Sequence, residues 1–108
     1  MSIATFPISA GGGDVGWHSV DLLSFNGGPV RHRTMAEVEA QWHSHSQSDE
    51  LFFFLSGELE MDVRAKDGDA QTYVFRPGQM MMVHAGYEHR ARSCGISSMI
   101  VMDAIAGG

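Results

Sequence analysis

His43 and His45 stand two residues apart, so on an extended strand both imidazoles leave one face and can be aimed at one point. After the polar run Ser46-Gln47-Ser48-Asp49 comes Glu50, at the mouth of the apolar stretch from Leu51 to Leu55. An ionised carboxylate is costly to bury there unless something pairs with it, and a metal ion is such a partner. His89 follows 39 positions after Glu50, just past the bend at His84-Ala85-Gly86 and beside Arg90 and Arg92, which should face away from it. Three imidazoles and one carboxylate make a mixed nitrogen and oxygen set that suits one divalent ion, Fe, Mn, Zn, Ni or Cu, and leaves positions open for water or substrate. A structural zinc site would more usually be closed by cysteines, and Cys94 is the only one in the chain.

These side chains must be positioned by short strands. β-prone stretches recur between turn signals: Trp17 to Phe25, Val30 to Glu37, Leu51 to Leu55, Glu58 to Arg64, Gln71 to Phe75, Met80 to Val83, His89 to Arg92 and Ile96 to Ala104. The breakers between them read as hairpin turns: Asn26-Gly27-Gly28-Pro29, Ser56-Gly57, Lys66-Asp67-Gly68-Asp69, Arg76-Pro77-Gly78 and Ala85-Gly86. Helix formers cluster only at Met35–Ala40, enough for a turn or two. The pattern predicts an all-β sandwich or barrel in a single domain, residues 17–108, preceded by an N-terminal arm, residues 1–16, around Gly11-Gly12-Gly13. Alternation from Glu50 puts Phe52 and Phe54 on the ligand face, as core packing. Leu51, Phe53 and Leu55 lie on the other face, which then needs a cover from the arm or a second subunit.

The run His43-Ser44-His45, four residues, Glu50, six residues, Gly57 resembles the first motif of the cupin superfamily. Gly78, five residues, His84-Ala85-Gly86, two residues, His89 and then Ser93 is similar to the second motif. His84 stands where proline is frequent and Ser93 where asparagine is, and neither is a ligand position. The wording from Trp42 to Leu51 and from Tyr87 to Arg90 resembles small single-domain cupins labelled mannose-6-phosphate-isomerase-like. The resemblance implies a cupin double-stranded β-helix, that is a jelly-roll barrel, with a divalent metal ion on His43, His45, Glu50 and His89. It also implies that homodimers are common.

Thirteen acidic against seven basic residues give a formal charge of −6, and no basic cluster interleaves with aromatics, so nucleic acid is a poor partner. No apolar run approaches the ~20 residues that span a membrane, and the first basic residue is Arg31. The expectation is therefore a soluble cytoplasmic protein without a membrane partner. Cys94 forms no internal disulfide and is expected as a small buried residue. Met80-Met81-Met82 alternate between faces and cannot converge on one ion, so they read as packing. His18 and His32 read as ordinary strand residues. Arg31 and Arg33 share a face, by default a solvated one, though they could bind an anion. Tyr87 and Glu88 could serve at the rim of the site. No hydrolase elbow, phosphate loop, dinucleotide fingerprint or C-x-x-C occurs.

The site predicts a metal-dependent enzyme, an oxygenase or isomerase of a small oxygen-rich molecule, with chemistry done mostly by the metal because no clear general base faces the barrel. The alternative is a non-catalytic, metal-stabilised module that binds a small molecule.

Overall fold

The computed structural model describes residues 16–105, so the expected arm lies almost wholly outside the described residues. The described chain forms seven strands: β1 (Gly16–Phe25), β2 (Gly28–Glu39), β3 (Ser48–Ser56), β4 (Leu59–Arg64), β5 (Gln71–Phe75), β6 (Met80–Val83) and β7 (Glu88–Ile105). Every pairing is antiparallel. Asn26 and Gly27 take positive φ, 50° and 80°, the backbone sense that lets a two-residue turn follow the twist of its strands, and they join β1 to β2.

β7 is the spine of the jelly roll. Its first residues pair with β4, through Val63↔His89 and Asp62↔Arg90, and its later residues lie between β2 and β3. The larger half of the sheet runs β1-β2-β7-β3-β6, and β4 with β5 forms the other. The change of partner is made at a corner, where the β2–β7 register slips between Ala36 and Val38 and Glu37 adopts a φ of 49°. Ser93 fastens that corner: its Oγ donates to the Gly95 carbonyl at 2.8 Å and lies 2.7 Å from the Ser97 hydroxyl.

Four expectations are corrected here. The last two predicted strands are one, because Ser93-Cys94-Gly95 is a bulged corner rather than a break. The helix formers at Met35–Ala40 are strand as far as Glu39, since Met35 and Ala36 are buried against β7 and packing overrides propensity. Only the turns after β1 and β4 make hairpins. Those at Gly57, Gly78 and Gly86 carry the chain between strands that do not pair with each other, as a jelly roll requires. Cys94, on the corner, is exposed rather than buried.

The core lies between the two halves and holds Met35, Phe52, Phe54, Leu59, Met61, Phe75, Val83, Ala91, Met99 and Val101. Phe54 and Phe75 stack across it with ring centroids 6.0 Å apart, and Phe52 lies in the same core, so Phe52 and Phe54 are packing as expected. Met81 packs against the core while Met80 and Met82 point outward. The outer face of β4 and β7 carries a ladder of charge: Glu60 with Arg92, Asp62 with Arg90 and Arg92, and Arg64 with Glu88.

Candidate metal centre

His43 and His45 sit in the segment between β2 and β3, which is not a regular strand as the spacing predicted. It is stitched to the start of β7 by main-chain bonds. Ala40 N–H donates to the Ala91 carbonyl at 2.8 Å, His43 and His89 exchange N–H···O bonds of 3.0 and 2.9 Å, and Gly86 N–H donates to the His45 carbonyl at 2.9 Å. Trp42 anchors the same segment from outside, its ring lying 3.8 Å from the Arg64 guanidinium and 4.6 Å from that of Arg90. Glu50 arrives from β3, in the other half of the sheet, opposite Val83 on β6 and Asp103 on β7.

The four side chains named from the sequence converge. One donor atom from each of His43, His45, Glu50 and His89 lies within 4.8 Å of all the others. His89 Nε2 is 2.9 Å from Glu50 Oε1, and His45 Nε2 is 3.4 Å from Glu50 Oε2. The His43 and His89 ring centroids are 4.1 Å apart. His43 Nδ1 lies 3.0 Å from the Gln41 carbonyl, to which it donates as the neutral tautomer, leaving Nε2 free for a metal. Glu50 and His89 are buried, whereas His43 and His45 are half-buried, so the centre opens toward solvent on the side of the connecting segment.

The electrostatics fit a cation. Burial would raise the Glu50 pKa, but hydrogen bonds with His89 and Asp103 and the charges of His89 and Arg33 outweigh it and hold Glu50 ionised, below its ordinary range. Burial pushes His43 down, toward the neutral form that ligates a metal. Burial and the adjacent Glu50 push Asp103 above its ordinary value. Its buried Oδ1 has no hydrogen-bond partner among the described residues. Three imidazoles and one carboxylate make a donor set that fits a divalent ion.

Other candidates fall elsewhere. His84 is mostly exposed, 3.7 Å from Asp49. Glu88 pairs with Arg64 on the outer ladder, and Tyr87 is exposed. His32 is buried on β2, opposite Ile100, and His18 is an exposed residue of β1. Phe52 presents its ring edge-on to His89, centroids 6.0 Å apart.

Sequence reasoning missed Asp103 and underrated Arg33. Asp103 is an acidic residue inside the run from Met99 to Ile105, the same signal that singled out Glu50. The default of a solvated face fails for Arg33, which is only 8% exposed. Arg31, 2.8 Å from Asp103 and 3.1 Å from Asp21, is half-buried.

Comparison with known proteins agrees with this architecture. A family model described as a cupin domain matches residues 21–105. The uncharacterized protein YdbB of Bacillus subtilis (strain 168) is 36% identical over 90 residues, and the chain spans 63% of that protein's length with 83% of its own. Among solved structures, a cupin superfamily protein from Desulfitobacterium hafniense DCB-2 superposes with a TM-score of 0.71 at 20% identity, over 82% of this chain and 77% of that one. Ectoine synthase from P. lautus gives a TM-score of 0.71 at 20% identity, over 86% of this chain and 67% of its own. At such identities these two share the fold alone. No helix among the described residues is long and apolar enough to cross a membrane.

Proposed function

The chain belongs to the cupin domain family, and from that premise we propose that it is a metal-dependent enzyme that holds one divalent ion on His43, His45, Glu50 and His89. Its reaction is an oxygenation or isomerisation of a small oxygen-rich molecule. The observation that carries the reading is the convergence of the four donors within 4.8 Å, two of them buried and two half-open. When bound, such an ion supplies Lewis acidity toward oxygen donors. The protein's own part is to hold the donors. Gln41 sets the His43 tautomer, the His89 hydrogen bond helps hold Glu50 anionic, and Phe52 gives His89 a dry wall. That the fold serves enzymes is supported by the name of the ectoine synthase neighbour.

A second reading, a non-catalytic module in which the ion mainly stabilises the barrel, is favoured by the Glu50–His89 contact, which ties the two halves together. Metal content of untagged protein by mass spectrometry tests the shared premise, with His43→Ala and His89→Ala as controls. About one equivalent, lost in both variants, is expected of a single four-donor site. Less than about a tenth of an equivalent after reconstitution overturns both readings. Metal-dependent turnover of small keto and hydroxy acids then separates enzyme from binder.

We also infer a homodimer. The outer faces of β3 and β6 present half-buried Leu51, Phe53 and Leu55 beside exposed Met80 and Met82, next to an apolar cavity of about 210 Å³ lined by Phe25, Val30, Leu51, Met82 and Met102.

A further inference from the structure

Arg33 is a buried cation with no ion-pair partner among the described residues. Its guanidinium takes part in no hydrogen bond or ion pair among the described residues, and its Nε is sealed from solvent with no acceptor. The register fixes where it points. Arg33 lies opposite Met99, which lies opposite Phe54, and both are core residues, so the Arg33 side chain shares the interior face with Glu50 and Asp103. One face of the guanidinium is covered by the Trp17 ring, at 4.1 Å. That contact leaves the in-plane N–H donors without an acceptor among the described residues. Arg31 on the same face differs in this respect, being paired with both Asp103 and Asp21.

An isolated buried charge costs several kcal/mol, and a guanidinium does not escape the cost by losing its proton. Two acidic side chains share its face, Glu50 and Asp103, and Asp103 is already paired with Arg31. But Glu50 is also the carboxylate of the metal set. A dication on three neutral imidazoles and Glu50 keeps a net charge of about +1, so once it binds, Glu50 no longer balances Arg33. The interior then holds two positive centres and calls for an anion. A guanidinium offers a planar fork of donors that matches a carboxylate.

We propose that Arg33 is the anion-binding residue of the centre, taking the carboxylate of a small organic acid whose second oxygen faces the metal ligands. This rests on the metal reading and narrows its substrate class to carboxylates that carry a neighbouring hydroxyl or keto oxygen. Trp17 positions the fork by stacking on it.

The test is calorimetric titration of manganese-loaded full-length protein with glycolate, lactate and pyruvate, each beside its neutral amide, for the natural chain, Arg33→Met and Arg33→Lys. The metal content of every sample is measured alongside. In the natural chain at least one acid is expected to bind at least tenfold tighter than its amide. Arg33→Met should erase that preference while retaining its metal, and without the acid it should melt no lower than the natural chain, because an uncompensated buried charge has been removed. Arg33→Lys keeps the charge but not the fork and should lie between. It also carries the comparison should Arg33→Met fail to fold, and an undiminished preference in Arg33→Lys would then overturn the proposal. So would an acid preference that survives in Arg33→Met, or no preference for any acid in the natural chain. Repeating the titration after chelation separates the two readings. An Arg33-dependent acid preference in a protein that never takes up metal sinks the metal centre and leaves the anion site standing, whereas one equivalent of metal with no acid preference does the reverse.

Discussion

His89 Nε2 and Glu50 Oε1 meet 2.9 Å apart in the interior, one side chain from the start of β7 and the other from β3. An ion seated between them would join the two halves of the sheet through the folded state only. Bound at a hundredfold excess over its dissociation constant, it adds about 2.7 kcal/mol to stability. Chelation should therefore lower the melting temperature by roughly 10–20 °C for a domain of this size, and Glu50→Gln should melt at the same temperature with and without chelator. A melting temperature in the natural chain that ignores chelator would remove the stabilising role.

Trp42 has two guanidiniums against its ring and carries His43 as its neighbour, so it is expected to act as a positioning residue. Trp42→Ala should cost about 1–3 kcal/mol of stability and weaken metal affinity by about 10–100-fold. Trp42→Phe, which keeps an aromatic face, should recover most of the affinity. Equal affinity in all three proteins, measured by competition with a chromophoric chelator, would assign Trp42 to stability alone.

Asp62 is buried on the outer ladder with the Arg92, Thr72 and Arg90 side chains around it. The Arg92 hydrogen bond, with Thr72 and Arg90, holds its carboxyl well below the ordinary value of 3.8. Because the folded pKa is depressed, the stabilisation is present above the unfolded value and is lost as pH falls from there through the folded one. Urea midpoints measured from pH 5 down to about 2 should fall less steeply in Asp62→Asn, which should also be less stable at pH 7 by about 1–3 kcal/mol. Parallel acid limbs would place the acid sensitivity elsewhere.

The ligand set was legible in the sequence because its pattern is local: His43, His45, Glu50 and Gly57 fall within 15 residues. Gly57 shows why such a motif ends in glycine. Its φ is +84°, and an added Cβ would press on the Ile96 carbonyl and lie 2.9 Å from Ser97 Cα. Gly57→Ala should accordingly cost at least about 2 kcal/mol, seen as a lower urea midpoint. Arg33 and Asp103 were not legible in the same way. Which face they present depends on how β2 and β7 are paired, and the slip at Ala36/Val38 resets that parity. The helix formers near Met35 misled for a similar reason, since burial against a strand some sixty residues away decided their conformation.

Light scattering after size exclusion should give a dimer for the natural chain. Met82→Lys, which puts a charge on the exposed apolar face opposite Leu51, should shift it toward monomer without loss of metal. A monomer at all concentrations, or an unshifted dimer in the variant, would count against this face as the interface.

Because β7 is the strand on which β2, β3 and β4 all close, the order of synthesis matters. The first six strands leave the ribosome before the strand on which three of them close. They can form the β1–β2, β4–β5 and β3–β6 pairings, but cannot join these into the barrel. The native pairings are mostly distant in sequence, which places folding in the millisecond-to-second range rather than the microsecond one. Until residue 105 has emerged, the apolar β3 run Leu51–Leu55 has no β7 to pair with, so a newly made chain is most exposed to aggregation or chaperone capture in that window.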